Sequence, residues 1–345
     1  MDFTFSEDQL LFQESVRDFL VNEVTPEKIR ESWESETGRS PELWAQLAEL
    51  GLTGITVPEA LGGLGMSALD FVLLAQECGY VALPEPLVHT ALVAVPLLTD
   101  IGGELAAQWL PKIASGEARV VVGLSQNLLV EDAHTADLIL LQQGDDIHAL
   151  TPGQFNLRHN ESVDPSRKLY AVEATASNIV CSDVAVITAC LNRGALGNAA
   201  QALGLAQRMV DLAVQYTSER NQFGKPIGSF QAVKHHMANV AVQLEYAKAP
   251  VHRAAYAVAN DLNSASENVS HAKVVACEAA NLAAKNCIQV HGAMGYTWEV
   301  DLHIFMKKAW ALANSWGDAG FHKNRINDFI LRADTPLGAG NTFLN

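Results

Sequence analysis

The spacing of apolar residues changes twice along the chain and divides it into three parts. In the first part apolar positions recur at helical intervals, as at Leu43 and Leu47. Near residue 117 the pattern changes to short β-branched runs, and near residue 188 helical spacing returns. The pattern predicts a mainly α-helical protein with a helical domain over 1–116, a small β domain over 117–187 and a helical domain over 188–345.

The predicted β domain contains one clear hairpin. Leu138–Leu150 reads as a strand, a tight turn and a second strand, and the residues from Lys168 to Ile187 offer further short strands. In the C-terminal part, a first long helix leads to Arg220. Long helices with short connections are typical of a four-helix bundle. The three further helices are predicted over 229–260, 266–290 and 301–331, with a kink at Pro250.

Composition limits the partners that the chain can have. Of its 345 residues, 49% are hydrophobic and only 18% are charged, which indicates either an extensive subunit interface or long buried helices. The formal net charge of -16 argues against nucleic acid or an anionic membrane as the main partner. The sequence begins without a positive segment ahead of an apolar run, so we expect a cytoplasmic protein.

The sequence gives no indication of a metal site. Its five cysteines are scattered and form no C-x-x-C pair, so neither a zinc site nor a disulfide framework is indicated. His235, His236 and His291 show no ligand spacing with other histidines, cysteines or carboxylates. We therefore expect no bound metal.

Several motifs, in the same order along the chain, resemble those of acyl-CoA dehydrogenases. The C-terminal part carries Arg220-Asn221-Gln222-Phe223-Gly224 followed by Gln231, and later the segment Gln289–Tyr296. This resemblance covers nearly the whole chain and implies the three-part fold of that family, FAD as cofactor and α,β-dehydrogenation of an acyl-CoA. The N-terminal motifs are Trp44-x-x-Leu47-x-x-Leu50-Gly51, Val57-Pro58-Glu59, Gly62-Gly63-x-Gly65 and Trp109-Leu110-Pro111-x-Ile113-Ala114-Ser115-Gly116-Glu117.

The resemblance implies that the C-terminal motifs bind FAD together with a neighbouring subunit. The Arg220 guanidinium can donate paired hydrogen bonds to a pyrophosphate, Phe223 offers a flat face to adenine, and Gln231 can donate an amide hydrogen bond. Taken singly, each residue has a plain structural alternative as a solvated cation, a core residue or part of a turn. The candidate cofactor residues are Arg220, Gln222, Phe223, Gln231, Gln289, Val290, His291, Gly292, Ala293 and Gly295.

The residues that the family uses for proton removal are missing. The usual position of the catalytic glutamate, ten residues beyond Met306, holds Trp316, and the alternative position used by a minority of members holds Gly194. Asp318 is a weak candidate for a relocated base, because two residues along a helix turn the side chain by about 200°. The predicted β domain is also shorter than the family norm, and the loops that pack on the isoalloxazine ring are not found.

This combination resembles the base-lacking subunit of α2β2 heterotetrameric acyl-CoA dehydrogenases that act on steroid side chains. The resemblance implies that a homologous partner subunit supplies the glutamate, the flavin-ring contacts and most of the acyl-CoA site, while this chain supplies further FAD contacts. Two alternatives stay open at this point. One is a self-sufficient homo-oligomeric enzyme that uses Asp318 as its base, and the other is a non-enzymatic assembly or CoA-ester-binding protein on the same scaffold.

Overall fold

The N-terminal part of the computed structural model is helical, as the sequence predicts. The structure describes residues 4–332, 334, 335 and 338. Ser6 begins the first helix with a capping box in which its side chain and that of Gln9 satisfy each other's backbone N–H groups. The helices are α1 (Glu7–Glu23), α2 (Pro26–Glu34), α3 (Pro41–Glu49), α4 (Ala68–Tyr80), α5 (Leu87–His89), α6 (Val95–Ile101) and α7 (Gly103–Ala114), with a π-helical turn over Thr90–Ala94.

Two small sheets follow and pack face to face. One has the strand order β1-β3-β4-β7, with β1 and β3 parallel, and the other is antiparallel with the order β2-β6-β5. Val121 and Ile139 of the first sheet contact Val130 of the second in a buried cluster. The strands are β1 (Val120–Gly123), β2 (Leu129–Glu131), β3 (Leu138–Gln143), β4 (Asp146–Leu150), β5 (Phe155–Asn160), β6 (Leu169–Ala174) and β7 (Ile179–Cys181).

The predicted hairpin over 138–150 is confirmed, because β3 and β4 pair directly around Gly144, which has a positive φ of 62°. The end of the predicted β segment is different. Asp183 caps a helix that begins at Val184, so the last residues of the segment that was predicted to form strands are helical. This helix, α8 (Val184–Glu219), is the longest in the described part of the chain.

The C-terminal part is built on α8, α9 (Gln231–Ala259) and α10 (Ala265–His291), as predicted, and α9 continues through Pro250. The prediction of one helix over 301–331 was wrong. The chain forms α11 (Leu302–Ala313) and α12 (Ala319–Ile330), separated by Trp316 and Gly317, whose φ angles are 58° and 90°. These left-handed conformations end a helix, and a tryptophan rarely adopts one without tertiary support.

The N-terminal helices contact the bundle closely through two glycines. A Cβ on Gly204 of α8 would lie less than 3.0 Å from backbone atoms of Gln76 and Tyr80 on α4, and one on Gly79 would meet Gln201 in the same way. The two helices therefore pack backbone against backbone. Within the described residues, no helix is both long enough and apolar enough to cross a membrane.

Buried ion pairs join the β strands to the helices around them. Arg39, at the start of α3, pairs with Asp132 just after β2, and both side chains are almost fully buried. Arg167 pairs with Glu131 at 3.0 Å and also donates to the backbone carbonyl of Ala311 on α11. Burial alone would lower the pKa of Arg39, but Asp132 and the other nearby carboxylates raise it overall, so the guanidinium stays charged.

We expect Asp132→Asn to destabilise the protein by about 3–5 kcal/mol, because the isosteric amide leaves the charge of Arg39 buried without its main partner. The free energy of unfolding measured by chemical denaturation checks this. Glu278→Gln removes an exposed partner of Lys323 and is the matched control, with an expected cost of about 0–1 kcal/mol. Equal costs for the two variants would contradict the structural role given to the buried pair.

Candidate functional site

The first cofactor motif, which begins at Arg220, forms a tight hairpin at the end of the bundle. Arg220 is the C-cap of α8, and β8 (Asn221–Gln222) pairs with β9 (Lys225–Pro226). The two turn residues, Phe223 and Gly224, have φ angles of 54° and 79°, as in a type I′ turn. Phe223 is 91% exposed. Its ring lies edge-on to that of Phe230 with centroids 6.1 Å apart, and most of the side chain stays open to solvent.

The second cofactor motif, Gln289–Tyr296, lies where α10 ends. Gln289 is exposed in the last turn of that helix, and Gly292 ends it with a φ of 60°. Gly295 follows in a 3₁₀ turn over Gly292–Tyr296, where a Cβ would meet Ile288 and His291 at 2.9–3.1 Å. Both glycines are therefore needed for the backbone path itself.

The fold brings the two motifs to the same end of the bundle. The ring of Tyr216, in the last turn of α8, stacks on that of His291 with centroids 4.4 Å apart. His236, near the start of α9, donates a hydrogen bond from Nδ1 to the side-chain oxygen of Asn286 on α10. The predicted cofactor residues divide into an exposed set, Arg220, Gln222, Phe223, Gln231, Gln289, Gly292 and Ala293, and a buried set, Val290, His291 and Gly295, which packs beneath it.

The exposed set lies in a locally positive region of an acidic protein. Residues 219–234 contain three cations, Arg220, Lys225 and Lys234, against one carboxylate, Glu219. Arg220 takes part in none of the ion pairs formed among the described residues. No side chain caps the start of α9, so its first N–H groups keep their capacity to donate. These features fit an anionic dinucleotide such as FAD.

Trp316 and Gly194, the two positions at which the sequence resemblance predicts a glutamate in the family, are in contact with each other. Trp316 is 5% exposed, and a Cβ on Gly194 would lie less than 3.0 Å from three carbons of the Trp316 indole. The indole therefore packs directly on the backbone of α8 at Gly194. The sequence shows that neither residue is a carboxylate, but it does not show that the side chain of one packs on the backbone of the other.

Side chains from distant parts of the sequence hold Trp316 in this position. The backbone N–H of Trp316 donates to Asn127, and its carbonyl accepts from Nε2 of His322 at 2.9 Å. Burial lowers the pKa of His322 to about 4, so the ring is neutral, and its Nδ1 accepts from the Ser270 hydroxyl. One turn earlier, the Leu312 carbonyl accepts from the buried Lys273 ammonium and from Asn198. The sequence analysis did not predict these hydrogen bonds, because their partners are far apart along the chain.

Only a small cavity remains beside the indole. It has a volume of about 40 Å³, and Trp316, Gly194, His89, Glu131 and Lys308 are among the residues that line it. Sites for small organic ligands typically measure about 300–1,000 Å³, so this space is too small for a flavin ring or an acyl chain.

The carboxylates near this region are poorly suited to remove a proton. Burial opposes ionisation of Glu131, but Arg167 and Arg39 outweigh that effect and lower its pKa to about 2. Asp318 is exposed, accepts a hydrogen bond from the backbone N–H of Phe321 as the N-cap of α12, and does not line the cavity. Among the described residues, no group of three or more His, Cys, Asp or Glu side chains is arranged to hold a metal ion.

Comparison with known proteins identifies the family. The model of the N-terminal domain of acyl-CoA dehydrogenases matches residues 6–117, and that of the C-terminal domain matches residues 184–331. The chain belongs to the acyl-CoA dehydrogenase family, and its mainly helical fold with a small β region is the fold of that family.

Among characterised relatives, the acyl-CoA dehydrogenase IpdE2 of Mycobacterium tuberculosis is 31% identical over 88% of this chain and 91% of its own length. The acyl-CoA dehydrogenase FadE34 of the same organism is 31% identical over 82% of this chain and 41% of its own length.

Two solved structures share the fold. A chain of the ChsE4–ChsE5 complex from Mycobacterium tuberculosis superposes with a TM-score of 0.86 at 23% identity, covering 98% of this chain and 100% of that one. A variant of the Tcur3481–Tcur3483 steroid ACAD (acyl-CoA dehydrogenase) superposes with a TM-score of 0.85 at 22% identity, covering 94% of this chain and 98% of that one.

The contact between Gly194 and Trp316 predicts strong coupling between the two positions. We expect Gly194→Ala to destabilise the protein by at least about 1–3 kcal/mol, because the added methyl group overlaps the indole. In a Trp316→Ala background the same substitution should cost little, because the space is then open. A double-mutant cycle of unfolding free energies checks this, and additive effects would contradict the contact.

Proposed function

We propose that this chain is one subunit of a heteromeric, FAD-dependent acyl-CoA dehydrogenase, and that it lends its cofactor-binding segments to a partner subunit that carries the catalytic glutamate. One observation carries the proposal. Of the two positions to which the resemblance assigns that glutamate, one holds the buried indole of Trp316, and this indole packs directly on the other, Gly194. The exposed cofactor motifs at the other end of α8 give the chain a remaining role in binding.

The chemistry of the family explains why the chain needs a partner. A carboxylate removes the α-proton of the acyl thioester, and FAD, when bound, accepts the β-hydride. Neither an indole nor a glycine can accept the proton, and loss of a positioned base typically costs about 10²–10⁴-fold in rate. Because Asp318 caps α12 and Glu131 is held ionised by arginines, we infer that no acid of this chain replaces the base.

The exposed residues of the bundle end are suited to hold part of the dinucleotide. Arg220 would pair with the pyrophosphate, since a guanidinium can donate two parallel hydrogen bonds to it. Phe223 would present its face to the adenine, and the amides of Gln231 and Gln289 would donate hydrogen bonds. Gly292 lets the backbone approach the cofactor closely.

The cavity and the relatives support the assignment of a partner and a substrate class. With only about 40 Å³ at its own glutamate positions, this chain leaves the acyl-CoA to be bound mainly by the homologous subunit. One structural neighbour is a ChsE4–ChsE5 complex and another is called a steroid ACAD. We therefore propose a cytoplasmic α2β2 heterotetramer that dehydrogenates a bulky acyl-CoA of the steroid side-chain type.

The decisive experiment is expression of this chain with and without a homologous, glutamate-bearing subunit from the same organism. We expect FAD to be retained mainly in the co-expressed complex. Arg220→Ala should lower the flavin content of that complex, as measured by flavin absorbance. Arg158→Ala, which removes an exposed arginine on β5, is the matched control and should leave flavin content unchanged.

Activity of the complex provides the second half of the test. Replacing the partner's glutamate by glutamine should abolish acyl-CoA oxidation, whereas Asp318→Asn in this chain should leave the rate unchanged. If this chain alone binds FAD fully and oxidises acyl-CoA at the rate of the complex, the proposed division of labour is wrong.

A further inference from the structure

The stack between Tyr216 and His291 is the direct side-chain link between the two cofactor motifs. Tyr216 lies one helical turn before Arg220, and His291 lies two residues after Gln289. The two rings are 4.4 Å apart and inclined by only 20°, so they overlap face to face. Offset stacking of this kind fixes both the distance and the relative orientation of the two backbones that carry the rings.

Each ring is also tied to the backbone of its own motif. The Tyr216 carbonyl accepts from the backbone N–H of Arg220 at 2.9 Å, so the position of the tyrosine sets that of the arginine. His291 is 3% exposed, and its Nδ1 donates to the Cys287 carbonyl at 2.7 Å. That hydrogen bond fixes the ring on the last turn of α10, directly below the exposed Gln289.

α8 and α10 also pack against each other within the bundle, and the stack joins them at the ends that carry the two motifs. The hairpin that follows Arg220 closes through a hydrogen bond from the Ile227 N–H to the Arg220 carbonyl, so it moves with the end of α8. A Cβ on Gly228 would lie 3.0 Å from the backbone carbonyl oxygen of Thr217, so the chain just after β9 passes close to α8. These contacts hold the first motif to its own helix, and the Tyr216–His291 stack adds a contact from the end of α8 to the end of α10.

We propose that Tyr216 and His291 are positioning residues, which hold Arg220 and Gln289 at the spacing required to bind one FAD between them. This inference rests on the proposed function. Neither ring needs to touch the cofactor, because the stack acts through the backbones of the two motifs. The requirement is for two flat rings in contact, so an aromatic side chain at position 216 should suffice and an aliphatic one of similar size should not.

The test is an FAD titration of the apo form of the co-expressed complex, followed by flavin fluorescence anisotropy. We expect Tyr216→Leu to weaken FAD binding about three- to tenfold, which corresponds to the loss of one aromatic pair. Tyr216→Phe keeps the stack and should restore the wild-type affinity. Tyr246→Leu, which alters a tyrosine that is 76% exposed on α9, is the matched control and should have no effect.

A second variant, at the other ring of the stack, separates a loss of positioning from a loss of folding. His291→Leu should give a similar loss of FAD affinity, and size-exclusion chromatography should show that the complex still assembles. If Tyr216→Leu and His291→Leu both bind FAD as tightly as the wild type while Arg220→Ala does not, the positioning role is overturned and the proposed function stands. If Arg220→Ala also binds normally, both are overturned.

Discussion

The structure depends on the packing of one indole against one glycine. Trp316 lies on the backbone of α8 at Gly194, where no side chain fits between the two. To reach this position the chain adopts two successive left-handed conformations, at Trp316 and Gly317, and interrupts what would otherwise be a continuous C-terminal helix. Strain of about 1–3 kcal/mol at such a non-glycine residue persists only where the surroundings impose it. Here Asn127 and His322 hold the backbone on both sides of the indole.

The surroundings of Trp316 are closely packed, whereas the end of α8 is open to solvent. Around Trp316, buried charges such as Lys308 and Glu131 are matched by neighbouring groups, and only a cavity of about 40 Å³ remains. At the end of α8, by contrast, Arg220 and Phe223 are exposed, and the ring of Phe223 lies edge-on to that of Phe230 at 6.1 Å.

The sequence predicted the features that depend on local pattern. Helical spacing located α9 and α10, and the turn at Gly144 located the β3–β4 hairpin. The motifs identified the family and the missing carboxylates. The break at Trp316 was not predictable in this way, because the residues that stabilise it come from distant segments. Lys273, in the middle of α10, donates a hydrogen bond to the Leu312 carbonyl near the end of α11. The stack of Tyr216 on His291 likewise joins residues whose proximity appears only in the folded chain.

We propose that this chain has kept a binding surface for a shared flavin, whereas Trp316 fills its own catalytic position. The most direct measurement is the number of FAD molecules in the purified complex of this chain with its homologous partner, obtained from flavin absorbance and protein concentration. We expect one FAD for each pair of unlike subunits. One FAD for every polypeptide, with this chain holding a complete flavin of its own, would contradict it.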